Sequence, residues 1–236
     1  MSAEGNPVPS AASSPLLYTF IDTGYLHGRD PVDVARALCD GGSDLIQLRA
    51  KDKSVEEVRR LAAAVFRITS EAQVPLVIND HPAIAAEIGA QFCHLGQEDF
   101  FDSGHTHIDQ LPASMRPLKI GLSTHNPDQA RRAIAAGPAY VAIGPVYPTG
   151  TKPTAQPVTL DYVRWAASQV EIVWFAIGGI TLQNLPEVVS AGARNLCVVS
   201  AILNSKNITE ACQEFKNSLI SAVRERPVNR SKHRNS

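Results

Sequence analysis

The residues able to do chemistry stand at the ends of short apolar runs. Leu45-Ile46 leads into Gln47, Arg49 and Lys51; Leu76-Val77-Ile78 leads into Asn79 and Asp80; Phe92-Cys93 leads into His94, Gln97 and Asp99. Later runs end in Ser123-Thr124-His125, in Gly144 through Thr149, Gly150, Thr151 and Lys152, in Gly178-Gly179, and in Val199-Ser200. If the runs are adjacent strands, they lie about 4.8 Å apart, and Asp80 and Asp99 can reach one ion. Mg²⁺ suits such a pair, because it takes one or two carboxylates and fills its remaining positions with water and substrate phosphates. Asn79 and Gln97 add uncharged polar groups to the same rim. Arg49 and Lys51 alternate along an extended segment and so face the same way. With Lys152 they form a cationic set suited to a diphosphate, Arg gripping two oxygens and Lys acting as a point charge. Gly178-Gly179 and Val199-Ser200 let the backbone approach a second phosphate. The pattern therefore predicts two phosphorylated small-molecule ligands. Each charge alone also fits a solvated surface residue; it is their shared rim that argues for a site. No Ser-His-Asp or Cys-His order supplies a nucleophile. His125 stands at a strand end and is a catalytic candidate, His94 reads as a core histidine, and His105 with His107 lacks a third metal ligand.

Eight elements must position these groups. Continuous apolar runs near 16–21, 44–48, 75–78, 91–94, 118–122, 139–143, 172–177 and 195–199 read as strands buried on both faces of a parallel sheet. Helical patterns separate most of them. Ser54 with Glu57 reads as a capping box ahead of Val55, Val58, Leu61, Ala62, Val65 and Ile68. Asn126 caps a helix with Pro127 at its first position and Gln129 at its third. Ile208, Cys212, Phe215, Leu219 and Val223 mark the last helix, and 95–117 shows only a short helical piece. Gly42, Gly89, Gly137 and Gly192 each stand between a helix and the next strand, where Gly takes the left-handed conformation. Eight such units predict a single α/β domain, a (β/α)8 barrel of the TIM type, whose active site lies at the C-terminal strand ends and whose phosphate site often follows strands seven and eight. The rival, an open doubly wound sheet, lacks a GxGxxG after the first strand.

The 236 residues match one such barrel, and the net charge of -1 gives no reason to expect nucleic acid or an acidic membrane as partner. The predicted boundaries are a disordered leader over 1–14, the catalytic barrel over 15–223 and a disordered basic tail over 224–236. The first residues lack the basic start and apolar core of a secretion signal. Cys39, Cys93, Cys197 and Cys212 sit among apolar neighbours with no CxxC pair, which fits a reducing cytoplasm. The oligomeric state is left open, a homo-oligomer included.

The segments Gln47-Leu48-Arg49-Ala50-Lys51, Val77-Ile78-Asn79-Asp80, His94 through Asp99, Gly121 through His125, Gly144 through Pro153, Ala176 through Ile180 and Val198 through Ile202 resemble, in order, the successive motifs of the thiamine-phosphate synthase family. The resemblance covers about residues 16–220. It implies that a pyrimidine diphosphate and a thiazole phosphate are joined, with diphosphate released through a pyrimidine carbocation and Mg²⁺ as cofactor. It places Asp80 and Asp99 as metal ligands. Gln47, Arg49, Lys51, Asn79, Ser123 and Lys152 would bind the pyrimidine diphosphate, and Thr149, Thr151, Gly179, Val199 and Ser200 the thiazole phosphate. Ser123, Lys152 and Arg49 would be catalytic. Two positions depart from the family pattern: Ala50 stands where many members have Glu, and His81 where Arg is common. A thiazole tautomerase of the same fold, using His125 for proton transfer, is the alternative; a non-catalytic thiazole-phosphate binding barrel is a third reading.

Overall fold

The computed structural model describes residues 14–115, 117–149 and 157–226. Its elements are β1 (Leu17–Asp22), α1 (Pro31–Asp40), β2 (Leu45–Arg49), α2 (Val55–Glu71), β3 (Leu76–Asn79), α3 (Pro82–Ile88), β4 (Phe92–Gly96) and α4 (Gln97–Asp102). There follow β5 (Lys119–Thr124), α5 (Pro127–Ala135), β6 (Tyr140–Ile143), α6 (Thr159–Gln169), β7 (Val173–Ile177), α7 (Leu185–Ser190), β8 (Leu196–Val198), α8 (Ser200–Leu203) and α9 (Ile208–Glu225). Each strand pairs in parallel with the next, and β8 returns to β1, so the sheet is a closed barrel and the open-sheet rival is excluded.

Local chemistry explains why the chain breaks where it does. Ser54 and Glu57 cap α2 reciprocally, and Asn126 accepts from the Gln129 N–H to start α5. Gly42, Gly89, Gly137 and Gly192 have φ of 83°, 76°, 81° and 122°, the left-handed region that ends a helix and aims the chain into the next strand. Between β4 and β5, α4 is followed only by short 3-10 turns at 108–110 and 113–115.

β1, β3, β6 and β8 are buried at every residue and the other strands in part, and the barrel interior is packed by aromatic rings. Tyr18 meets Phe175 at 5.2 Å and Tyr140 at 5.9 Å between centroids, and Phe92 lies 6.2 Å from Tyr140. Gly121 makes room for this: a Cβ there would fall 2.1 Å from the Tyr140 ring. Outside, α9 packs on α1 and α7 and closes the helical ring. It runs to Glu225, past the expected boundary at 223, because Arg226 ties its end to the Gly192 carbonyl at 3.0 Å. The leader before Ser14 and the tail beyond Arg226 lie outside the described residues. All four cysteines are free thiols, and no helix among the described residues is long and apolar enough to cross a membrane.

Candidate active site

One cleft of about 910 Å³, its open mouth included, lies at the C-terminal ends of the strands. Each strand delivers its groups by register. Asp22 on β1 pairs with Arg49 on β2, Asn79 on β3 with His94 on β4, and Gly96 on β4 with Ser123 on β5. Gln47, Arg49, Lys51, Asn79, Asp80, Asp99 and Ser123 all line this cleft, as do Thr149, Gly179, Val199 and Ser200 from the other side. Thr151 and Lys152 lie outside the described residues. Gln97 does not join them. It opens α4, is 4% exposed and borders a separate depression beside Glu98 and Arg132, because the helix starts there and turns its side chain away from the cleft.

The β2–β4 side is built from charges. Arg49 donates to Asp22 at 2.8 Å, and the two side chains are only 16% and 2% exposed. The other Asp22 oxygen accepts from the Gly24 N–H at 3.0 Å, which locks the carboxylate behind the guanidinium. Lys51 pairs with Asp80 at 3.0 Å, both more open to solvent. Asp80 holds φ of 63°, a left-handed turn that directs its side chain off β3, and its N–H donates to the His94 carbonyl at 2.9 Å. Asp99 folds back over Gly96, where a Cβ would lie 2.6 Å from its carboxylate. The glycine thus leaves the space that the carboxylate fills. Asp80 and Asp99 are hard oxygen donors in one cleft, and no group of three or more His, Cys, Asp or Glu residues gathers among the described residues. That donor set fits Mg²⁺ completed by substrate phosphate and water.

The β6–β8 side is built from backbone. Gly178 and Gly179 have φ of 104° and 64°, and a Cβ on either would fall within 2.7 Å of the Pro145–Pro148 segment. That close approach is latched by Val146 N–H to the Ile177 carbonyl at 2.9 Å and Tyr147 N–H to the Gly178 carbonyl at 3.1 Å. Asn184 donates to the Gly179 carbonyl at 2.9 Å. Val199 and Ser200 form the turn from β8 into α8.

The histidines separate by environment. His125 lines the cleft and donates through Nδ1 to the Gly144 carbonyl at 2.5 Å. His94 also lines it, with Nδ1 at 3.1 Å from the Tyr140 hydroxyl, so it is both a satisfied core residue and a cleft residue. His105 stacks on Phe100, and His107 caps the 108–110 turn. Neither of those two lines the cleft. Burial pushes the Cys39 thiol up to about 11 and Cys212 to about 12, with Cys93 and Cys197 also raised, so none is a thiolate at neutral pH. Sequence reasoning missed Asp22. The signal was present, since it is the polar residue that ends the first apolar run, as Asp80 follows the third.

A closed parallel barrel with a charged and glycine-lined cleft at the C-terminal mouth defines a (β/α)8-barrel enzyme whose chemistry is set by its strand-end loops. The family model for thiamine monophosphate synthase matches residues 17–202. The thiamine-phosphate synthase of Lawsonia intracellularis is 36% identical over 217 residues, covering 91% of this chain and 97% of its own. That of Thermus thermophilus is 40% identical over 185 residues, covering 78% and 86%. Among solved structures, the thiamine phosphate pyrophosphorylase from Pyrococcus furiosus superposes with a TM-score of 0.74 at 24% identity, over 88% of this chain and 96% of that one. The chain belongs to the thiamine-phosphate synthase family, and the enzyme is a transferase.

Proposed function

We propose that the cleft joins 4-amino-5-hydroxymethyl-2-methylpyrimidine diphosphate to hydroxyethyl-methylthiazole phosphate, giving thiamine phosphate and free diphosphate. One observation carries the reading: Arg49, Lys51, Asn79, Asp80 and Asp99 share a single cleft with Gly179, Val199 and Ser200. Such a cleft offers a place for a doubly charged leaving group opposite a place for a monophosphate. A tautomerase has no use for the first set.

Arg49, locked by Asp22, presents its guanidinium to the diphosphate, with Lys51, Asn79 and Lys152 as further donors. Ser123, buried on β5, donates to the diphosphate or the reacting pyrimidine. Asp80 and Asp99 would hold Mg²⁺, which when bound neutralises diphosphate charge. As the carbon–oxygen bond to diphosphate breaks, both bonding electrons leave with the oxygen, and fixed cations aimed at that oxygen lower the barrier. The pyrimidine methylene becomes a cation, and the thiazole nitrogen lone pair closes the new carbon–nitrogen bond. No protein nucleophile and no proton transfer are needed, in keeping with the un-ionised thiols. Thr149 and Thr151, with backbone groups of Gly179, Val199 and Ser200, hold the thiazole phosphate. We also place the reaction in the cytoplasm, on the four free thiols.

Mixing the two substrates with Mg²⁺ and measuring thiamine phosphate and diphosphate tests the assignment; no product would overturn it. Replacing the pyrimidine methyl with trifluoromethyl tests the carbocation. Each ~1.4 kcal/mol of lost cation stabilisation slows the step about tenfold. Slowing by several powers of ten is expected, and a near-normal rate would exclude the dissociative route.

A further inference from the structure

Asn184 lies outside the cleft yet holds one of its peptide groups. The turn after β7 carries glycine at both 178 and 179, so no Cβ restricts its peptides and its shape depends on what binds its carbonyls. The Ile177 and Gly178 carbonyls accept from the Val146 and Tyr147 N–H groups at 2.9 and 3.1 Å. The Gly179 carbonyl accepts from the Asn184 side-chain nitrogen at 2.9 Å. Val146, Tyr147 and Asn184 do not line the cleft, whereas Gly179 and Ile180 do. The carbonyls are therefore held from behind the cleft wall.

A trans peptide points its C=O and its N–H in opposite directions. With the Gly179 carbonyl turned to Asn184, the Ile180 N–H of the same peptide plane points the other way, to the cleft side. It finds no acceptor among the described residues, although Ile180 is only 4% exposed. Buried backbone N–H groups are nearly always paired, so a donor left over on a cleft wall is one for a ligand. The Asn184 amide has a single satisfying orientation. Its oxygen accepts from the Thr181 N–H at 2.8 Å, and its nitrogen faces a carbonyl. Turned over, it would set nitrogen against N–H and oxygen against C=O.

We propose that Asn184 is a positioning residue for the thiazole phosphate: it fixes the 179–180 peptide so that the Ile180 N–H donates to a phosphate oxygen. This rests on the reading of the β6–β8 half as the phosphate cradle. Ile180 joins the backbone groups of Gly179, Val199 and Ser200 there, and a hydrogen bond to a charged oxygen is of the stronger kind. What Asn184 contributes is the direction of one peptide dipole, without a charge of its own.

The test pairs N184D with N184A. It measures Kd of hydroxyethyl-methylthiazole phosphate by calorimetry, with no pyrimidine present, and KM of both substrates. Asp keeps an oxygen for the Thr181 N–H but turns a second oxygen, with no proton to donate, to the Gly179 carbonyl. Ala removes both contacts. Losing a hydrogen bond to a charged group predicts a rise of about tenfold or more in Kd and KM of the thiazole phosphate in both variants, with the Kd of the pyrimidine diphosphate in place. A loss in one variant only, in neither, or equally on both substrates would overturn the proposal; a loss in N184A alone would leave Asn184 as a tie to Thr181. Proton–nitrogen NMR separates the direction of the peptide from the charge that Asp adds. In the wild type the Ile180 amide proton should move downfield on saturation with thiazole phosphate, and in N184D that shift should be lost even at saturation. Repulsion by the new carboxylate would weaken binding but leave the bound shift intact. That result, or an Ile180 amide that does not move in the wild type, would overturn the proposal, and the wild-type reading needs no variant to fold. Failure of the wild type to make thiamine phosphate would count against the proposed reaction alone, since Kd and the shift are read without turnover.

Discussion

The two halves of the cleft are built by different means. On the β2–β4 side the groups are side chains: Arg49 backed by Asp22, Lys51 paired with Asp80, and Asp99 folded over Gly96. On the β6–β8 side they are main-chain groups brought close by Gly178 and Gly179 and latched to the segment after β6. The physical division follows the ligands proposed. A departing diphosphate gains charge at the reacting oxygen, and fixed full charges aimed there act on the rate. A phosphate that is only held needs a shaped cradle of dipoles, which acts on binding. The side-chain half should therefore respond in kcat, and the backbone half in KM for the thiazole phosphate.

The strongest test removes the carboxylates. Asp80→Ala or Asp99→Ala should lower kcat by roughly 10²–10³-fold, the range for losing one group that stabilises developing charge. EDTA should abolish turnover. Full activity without a divalent metal would remove the metal from the site and with it half of the contrast.

The opposite half is tested at Gly179. Its φ of 64° and the 2.6 Å approach of a Cβ to the Pro148 carbonyl make alanine strained there. A left-handed non-glycine residue costs about 1–2 kcal/mol, or roughly a five- to thirtyfold change in an equilibrium constant. Gly179→Ala should raise KM for the thiazole phosphate by that much and leave the Kd of the pyrimidine diphosphate in place. Equal damage to both substrates would dissolve the division between the halves.

Asp22→Asn sharpens the side-chain half. It keeps the shape behind Arg49 but replaces a charged acceptor with a neutral one. Hydrogen bonds to charged groups contribute about 1.5–3 kcal/mol, so a partial loss predicts about a tenfold fall in kcat/KM for the pyrimidine diphosphate. KM for the thiazole phosphate should not move, and the check is steady-state kinetics with each substrate varied in turn. An unchanged kcat/KM would make the pair a structural tie only.

Legibility in the sequence followed the same line. The eight strands could be read because most of their residues are buried and the runs are nearly unbroken in apolar residues, and the turn glycines because only a left-handed conformation fits there. Asp80, Asp99, Arg49 and Lys51 were readable because a merely solvated surface does not set charge at the end of one apolar run after another. Asp22 escaped because a lone acid gives no sign of its partner until register brings β1 beside β2. Gln97 misled for the complementary reason: it follows the right strand but belongs to a helix start whose rotation the sequence does not display. The hydrogen bond between Tyr18 and Tyr140 was invisible, since two tyrosines far apart in sequence read simply as core until the closed barrel brings their hydroxyls within 3.0 Å.

The smallest effect expected is that of salt, and it discriminates between the halves without any mutation. The Debye length is about 10 Å at 0.1 M and about 3 Å at 1 M, so added salt screens full charges that are open to solvent. Lys51 and Asp80 are 50% and 29% exposed, whereas Arg49 is only 16% exposed in the cleft wall. Screening should therefore erode the lysine's part of the attraction and spare most of the arginine's. With Mg²⁺ held saturating, raising potassium chloride from 0.1 M to 1 M should increase KM for the pyrimidine diphosphate a few-fold, on the scale of one exposed ion pair at about 0.2–1 kcal/mol. KM for the thiazole phosphate should rise less, because main-chain N–H groups act at contact distance, where screening by mobile ions is weak. Lys51→Gln should flatten the first dependence and leave the second as it was. A steeper salt response for the thiazole phosphate would mean that its phosphate, too, is held chiefly by exposed charge, and the contrast between a side-chain half and a backbone half would fail.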